Sequence, residues 1–343
     1  MTIDYLKDRV VLITGAAGSI GATLISAVLE AGAKAVRALD SAESELYHLK
    51  ERFRDRPVAP LLGNIRELER LRFAFDGVDV VFHAAALKHV GLGEYNPFEV
   101  VQTNLVGLDN VIRAALERNV ERVIFTSSDK AVNPTNVMGA SKMMGERLVT
   151  AANEIRGTRK TIFTTVRFGN VIGSSGSVVP SFVNQIKQTG SLHLTHRDMT
   201  RYVMTMKQAV ALVIEAGRLA RGGEVFVAKM RAIRIEDLAT IMGEEFGGGK
   251  TIAIKETGIR PGEKLYEELI AKDELERTLD TESLLVILPP PESSSFTPDW
   301  QPADYHVKAV PCTRLWHSGE DTPMPKEELQ QYLREHDVFK DYQ

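Results

Sequence analysis

The sequence predicts an α/β fold, a doubly wound parallel sheet with a smaller C-terminal lobe. Three observations point to it. Short apolar runs alternate with longer segments of helical period, the first run opens into a glycine-rich turn, and the alternation loosens after about residue 168. Such alternation is the pattern of a parallel sheet covered by helices on both faces.

Strands are expected at 10–14, 35–40, 58–62, 80–83, 122–127 and 161–168, with helices filling most of the gaps. The first helix, 20–31, places Ile20, Leu24, Ile25, Val28 and Leu29 on one stripe, and Gly32 stops it. After the Gly/Ser-rich stretch 169–176, amphipathic segments return at 206–221 and 235–246. The turn-rich run Pro289-Pro-Pro-Glu-Ser-Ser-Ser-Phe-Thr-Pro298 opens a tail expected to wrap over the surface or contact a neighbouring subunit.

The chain has 343 residues, 43% of them hydrophobic, enough for a large domain with a smaller lobe. Its net charge of −4 gives no basic field for nucleic acid or anionic lipid and leaves phosphate binding to local side chains. The one cysteine, Cys312, fits a reducing compartment and a buried, inert thiol. The N-terminus lacks the apolar core of a signal peptide, and no run of roughly 18 apolar residues follows. A cytoplasmic protein with no integral membrane segment is expected.

Val10-Val-Leu-Ile-Thr-Gly15-Ala-Ala-Gly18-Ser-Ile-Gly21 is a buried strand entering a glycine turn and then a helix. Backbone N–H groups and the positive end of a helix can meet a pyrophosphate there, provided no side chain intervenes. Asp40 ends the next strand, where a carboxylate accepts hydrogen bonds from ribose hydroxyls. These are the marks of a Rossmann-like dinucleotide site. Asp40 would repel a 2′-phosphate, so NAD is favoured over NADP, although Arg37, Arg52 and Arg54 lie near enough in sequence to receive one. The chain divides accordingly into an NAD(P)-binding domain over 1–168 that also receives later segments, a smaller lobe over 169–288, and an extension over 289–343.

Seven motifs extend this reading: Thr14-Gly-Ala-Ala-Gly-Ser-Ile-Gly21, His83-Ala-Ala-Ala-Leu-Lys-His-Val90, Ser127-Ser-Asp-Lys-Ala-Val-Asn-Pro134, Asn136-Val-Met-Gly-Ala-Ser-Lys142, Arg167-Phe-Gly-Asn-Val171, Met199-Thr-Arg201 and Arg260-Pro-Gly-Glu-Lys-Leu-Tyr-Glu267. In this order the chain resembles the extended short-chain dehydrogenase/reductases and, among them, the UDP-N-acetylglucosamine 4,6-dehydratases of surface-glycan synthesis. That superfamily's usual catalytic pair is Tyr-x-x-x-Lys. Here Met138 stands at the tyrosine position, four residues before Lys142, and a thioether exchanges no proton. Some dehydratases of the family are similar in carrying methionine there.

The resemblance implies a tightly bound, recycled NAD(P) and the conversion of UDP-N-acetylglucosamine to a UDP-4-keto-6-deoxy-hexosamine. Hydride leaves C4, a base removes the acidified C5 proton, an acid protonates the departing C6 hydroxyl, and hydride returns at C6. It assigns Asp129 as the acid at C6, Lys130 as the base at C5 and Ser128 as a hydrogen-bond partner of the C4 hydroxyl. Asp129 or a water would accept the C4 hydroxyl proton. Lys142 would bind the nicotinamide ribose, and Met138 would pack in the core or against the sugar. Gly15, Gly18, Ser19, Ile20, Gly21, Asp40, Asn64 and Ala84 would line the dinucleotide. Lys88, Asn170, Arg201, Arg260 and Glu263 would hold the UDP-sugar. Helices after Asn96 and Met138 would form a homodimer or larger assembly.

Alternatives remain at this point. Asp129 and Lys130 could be a surface ion pair, and the enzyme could be a 4-epimerase or a catalytically silent nucleotide sensor. His83 and His89 have no ligand partners at metal-binding spacing, so no metal is expected.

Overall fold

The computed structural model describes residues 4–290, 309–340 and 342. Most of the Pro/Ser-rich stretch 289–298 therefore lies outside the described residues. The elements run β1 (Val10–Thr14), α1 (Ser19–Glu30), β2 (Ala35–Asp40), α2 (Glu43–Arg52), β3 (Val58–Leu62), α3 (Leu68–Ala74), β4 (Val80–His83), α4 (Val90–Tyr95), α5 (Pro97–Val100), α6 (Gly107–Glu117), β5 (Arg122–Thr126), α7 (Val137–Ile155) and β6 (Ile162–Arg167). They continue as β7 (Asn170–Val171), α8 (Val178–Thr189), β8 (Ser191–Leu194), β9 (Thr200–Met204), α9 (Met206–Leu219), β10 (Val225–Ala228), β11 (Arg231–Arg234), α10 (Ile235–Phe246), β12 (Ala253–Glu256), β13 (Thr278–Thr281), β14 (Leu284–Ile287), β15 (Ala309–Pro311) and α11 (Lys326–Glu335).

The main sheet has the order β15-β13-β14-β10-β6-β5-β4-β1-β2-β3. The seven strands from β10 to β3 are parallel. Strand alternation sorts β1 between two cores: Val11 and Ile13 pack with Leu24, Val28 and Val213 of α1 and α9, while Leu12 packs with Leu71, Leu108 and Val111 of α3 and α6. Helices thus cover both faces. The strand order reverses between β1 and β4, which opens a crevice beyond their C-terminal ends.

Beyond β10 the sheet is mixed, not all parallel as expected. β13 and β14 are separated by a two-residue connection, which permits only antiparallel pairing. The Thr281 hydroxyl donates to Leu284 O at 2.7 Å and accepts from Leu284 N at 3.1 Å, fixing that turn. β14 then joins β10, also antiparallel.

A second body gathers α8, α10 and α11 with the sheets β11-β9-β7 and β12-β8. The tail takes part in its core and does not merely wrap over the surface. Leu329 and Leu333, one helical turn apart on α11, are fully buried against it, with Met324 beside them. No helix among the described residues is long and apolar enough to cross a membrane.

Candidate active site

The crevice between β1 and β4 is shaped by close backbone approach. Gly15 has φ +68°, and a Cβ on it would lie 2.7 Å from Ala85 N; one on Gly21 would lie 2.2 Å from Gly15 O. Gly18 caps α1 without a side chain, so the amides of the first turn of α1 meet no side-chain cap. Asp40, at the tip of β2, accepts from Ala17 N at 2.9 Å and from Ala42 N at 3.0 Å, which brings a carboxylate to the glycine loop. Asn64 Oδ1 accepts from Arg66 N in a local turn, and Ala84 N donates to Thr14 O at 3.1 Å. An open helix end, a side-chain-free cradle and an acid beside it fit a dinucleotide.

On the opposite wall, a short turn after β5 carries Asp129 and Lys130. Asp129 is fully buried, which rules out a surface ion pair. Its Oδ1 accepts from Lys130 Nζ at 2.9 Å and from Ser128 Oγ at 3.0 Å. Lys130 also donates to Asn170 Oδ1 at 3.3 Å and lies 3.3 Å from Glu267 Oε1. Burial disfavours the ammonium, yet Asp129 and Glu267 outweigh it and raise the Lys130 pKa above its usual value. Burial likewise raises the Glu267 carboxyl; Lys130 opposes that rise and Asp129 reinforces it.

α7 stands behind this turn. The Asn136 side chain caps it by accepting from Gly139 N at 2.7 Å. Met138 is buried and does not line the cleft. Lys142, one turn on, donates to Thr126 O at 2.8 Å with its ammonium 4.7 Å from the Phe125 ring centre. Burial lowers its pKa to about 8, against the pull of Glu146. His83 stacks on Phe125, shares a 2.6 Å hydrogen bond with Thr14 Oγ1, and is pushed down to about 3 by burial and then by Lys142, which keeps it neutral. Among the described residues no group of three His, Cys, Asp or Glu side chains could hold a metal ion.

A cleft of about 260 Å³ opens in front of Lys130. It brings together Lys88, Lys130, Asn170, Arg201 and Glu263. Lys264, Glu267, Asn136 and the N-terminus of α8 at Ser177–Val178 also line it, and sequence reasoning missed all four. The Lys88 ammonium donates to Ser175 O at 2.6 Å, and burial lowers its pKa. Arg201 donates to the carbonyls of Thr200, Leu265 and Lys264, so it holds the 260–267 segment in place. Arg260 is exposed and lies outside the cleft lining. Its amide donates to Glu263 Oε2 at 3.3 Å, and Gly262 between them has φ +79°, with its carbonyl accepting from Asn136 Nδ2.

Two buried devices support the site. Arg167, 2% exposed, makes paired hydrogen bonds to Glu146 of α7 and Glu274, and Glu146 also accepts from Ser127 Oγ at 2.6 Å. This ties β6, β5 and α7 to the substrate-side segment. A π-helical turn at Val101–Val106 directs Asn104 inward, where it grips Leu87 N and O and Ser141 Oγ, fixing the loop that carries Lys88. Polar Gln102 and Thr103 stand directly before Asn104, so nothing in the local sequence singled it out.

A family model described as "Polysaccharide biosynthesis protein" matches residues 11–289. An uncharacterized membrane protein of Methanocaldococcus jannaschii is 47% identical over 83% of this chain and 87% of its own. An inverting UDP-N-acetylglucosamine 4,6-dehydratase of Campylobacter jejuni is 38% identical over 81% of this chain and 82% of its own. A UDP-glucose 4-epimerase of Rickettsia felis is also 38% identical, over 80% and 81%. Among solved structures, Pen from Bacillus thuringiensis has a TM-score of 0.90 at 41% identity, covering 97% of this chain and 99% of that one. A dTDP-glucose 4,6-dehydratase of Streptomyces venezuelae, solved with NAD and TYD, shares the fold at a TM-score of 0.68 and 21% identity, covering 75% and 86%.

Proposed function

The chain belongs to the polysaccharide biosynthesis family within the extended short-chain dehydrogenase/reductases, and from that premise we propose that it is an NAD-dependent 4,6-dehydratase acting on UDP-N-acetylglucosamine. The observation that carries the reading is the ion pair between buried Asp129 and part-buried Lys130 at the cleft, in a chain whose proton-exchanging tyrosine is replaced by buried Met138.

Gly15, Gly18, Ser19, Ile20 and Gly21 receive the cofactor pyrophosphate, Asp40 the adenosine ribose, Asn64 the adenine, and Ala84 with Lys142 the nicotinamide side. NAD is preferred over NADP because Arg37 is turned to Ala74 O and Arg54 pairs with Glu51, leaving Asp40 to face the ribose. The bound nicotinamide supplies hydride acceptance at C4 and hydride return at C6.

The chain's own groups do the proton work. Ser128 orients the C4 hydroxyl, Lys130 takes the C5 proton once C4 is a ketone, and Asp129 protonates the C6 hydroxyl as it leaves as water. The diphosphate sits among Lys88, Lys264 and the N-terminus of α8, which line the cleft and offer cations and helix amides, with Arg260 reaching it from outside the lining. Asn170 and Glu263 contact the sugar and the uridine ribose. Arg201 positions the segment that bears Glu263.

The epimerase reading rests on relatives as similar as the dehydratase and differs in returning hydride to C4. One experiment separates them: NMR of the product formed from UDP-N-acetylglucosamine in deuterated water without added cofactor. A 6-deoxy-4-keto sugar with deuterium at C5 supports dehydration; a C4 epimer without exchange at C5 overturns it.

A further inference from the structure

Glu267 is a buried carboxylate that the reaction as described leaves unused. Its main chain is clamped: its amide donates to Ser318 Oγ at 2.9 Å, its carbonyl accepts from Ser318 N at 2.9 Å, and Arg201 holds the nearby carbonyls of Lys264 and Leu265. Ser318 is itself fully buried and bonded to Thr200 Oγ1 at 2.8 Å. This framework fixes the carboxylate with Oε1 at 3.3 Å from Lys130 Nζ and 3.7 Å from Arg201 Nε. Oε2 is buried and meets no hydrogen-bond donor among the described residues, and the same is true of Asp129 Oδ2 on the other side of the ammonium. Two carboxylates therefore flank one lysine, and each has an oxygen with room for a proton.

A carboxylate buried without a full set of donors is costly to keep ionised. A lysine between two carboxylates, in turn, is a cation that gives up its proton reluctantly. The arrangement is ill suited to a free amine base but well suited to exchanging one proton internally.

We propose that Glu267 is the positioning residue that shares the Lys130 proton and accepts it when the lysine must act as a base. The inference rests on the dehydratase reading for the use of that base. In the step, a Lys130 Nζ–H bond breaks and a Glu267 Oε1–H bond forms, leaving the amine with its lone pair. The amine then takes the C5 proton, and the C5–H electron pair becomes the C5–C6 double bond as the C6 oxygen leaves as water with the proton that Asp129 took from the C4 hydroxyl. As hydride returns to C6, Lys130 gives a proton back to C5, and Glu267 then returns its proton to the amine, so no external acid or base is required. The groups that face this exchange are Asp129 from the same turn, Asn170 from β7, Arg201 from β9, and Lys264 beside Glu267.

The test uses the full chain with Glu267→Gln and Glu267→Asp. In protein labelled with 15N-lysine, the Lys130 Nζ resonance, assigned with Lys130→Arg, is followed against pH without substrate. Glu267→Gln removes one anion and should move the lysine titration down by about one unit or more, while Glu267→Asp keeps it near the wild-type position. In the pH profile of C5 deuterium exchange, Glu267→Gln should lower the plateau rate and shift the acid limb to lower pH, and Glu267→Asp should restore most of both. An unmoved Lys130 titration in Glu267→Gln overturns the proposal, as does a lower plateau rate with the acid limb in place, which is the signature of a structural role alone. If the titration shifts but the wild-type protein neither exchanges C5 nor forms a 6-deoxy sugar, the proton sharing stands and the dehydratase reading falls.

Discussion

Gly139 on α7 lies directly against the main chain of Lys130: a Cβ at residue 139 would sit 2.3 Å from the Lys130 carbonyl oxygen. The helix therefore presses on the turn that presents Asp129 and Lys130, and the backbone contact sets where their side chains point. Gly139→Ala should push the two apart, at about 1–3 kcal/mol in stability for overpacking. It should lower turnover more than it weakens NAD binding, because the loop proposed for the pyrophosphate joins β1 to α1 and is not part of α7. Denaturant titration, calorimetry with NAD and product assays on one preparation check all three.

The two arginines expected to hold the UDP-sugar should separate. Arg260 is exposed, so Arg260→Ala should leave stability unchanged and weaken UDP binding by about 1.5–3 kcal/mol if it meets phosphate. Arg201 spends its donors on three carbonyls, so Arg201→Ala should lower the unfolding midpoint as well as impair binding. Calorimetric titration with UDP alongside thermal unfolding distinguishes them. Unchanged UDP affinity in Arg260→Ala would make that arginine only part of a charged turn.

Two buried glutamates should give opposite pH responses. Burial opposes the charge of Glu274, but Arg167 outweighs it and holds the carboxyl down at about 2. Its stabilisation is present above the ordinary carboxylate value near 4.5 and is lost as pH falls toward 2. Burial pushes Glu224 up to about 7, against the amides of Arg221 and Gly222. The native state then binds that proton more tightly than the unfolded chain, so the contribution of Glu224 is full below about 4.5 and is lost as pH rises through 7. Glu274→Gln should therefore cost roughly 3–5 kcal/mol at neutral pH, as for a broken buried pair, and less in acid. Glu224→Gln should gain on the wild type between pH 4.5 and 7. Unfolding curves from about pH 2 to about pH 7 read both.

Much of this was legible in the chain. Residues 10–14, 35–40, 58–62 and 80–83 form strands as read, because short, largely apolar runs alternating with helical segments leave few alternatives. Asp129 and Lys130 stood out because adjacent residues after a strand form a local pattern. Glu267 did not, although it closes a motif that was recognised. Its partner Lys130 lies far along the chain, and its placement depends on Ser318 and Arg201, which only the folded lobe brings to it. The antiparallel addition of β14 to β10 is equally nonlocal, and the inward turn of Asn104 depends on a π-helical register that an ordinary helical period conceals.

The helices after Asn96 and Met138 are where the resemblance implies self-association, and together with α4 just before them they expose apolar side chains. Tyr95 is 84% and Phe98 83% exposed, with Leu92 and Met144 also accessible. Large apolar side chains gathered in this way favour a partner surface. Sedimentation should show a homodimer or larger assembly at micromolar concentration, and Phe98→Glu should shift it toward monomer without lowering the unfolding midpoint. A wild-type protein that sediments only as monomer would remove the assembly.

Asp129 and Lys130 share a hydrogen bond but have different tasks in the proposed reaction, so their losses should differ in kind. Lys130→Met should still permit oxidation at C4, seen as transient NADH absorbance, but abolish deuterium exchange at C5. Asp129→Asn should retard departure of the C6 hydroxyl, and it should also slow oxidation if Asp129 accepts the C4 hydroxyl proton. General acid–base groups typically contribute about 10²–10⁴ in rate, well above the scatter between preparations. The fold needs checking in each variant, because Lys130→Met leaves Asp129 and Glu267 facing each other without their cation. Circular dichroism and NAD affinity provide that check. Near-normal turnover and C5 exchange in a folded Lys130→Met would mean that another group is the base, and Lys88, a cleft lysine whose pKa burial lowers, or Lys142 would be the next to replace.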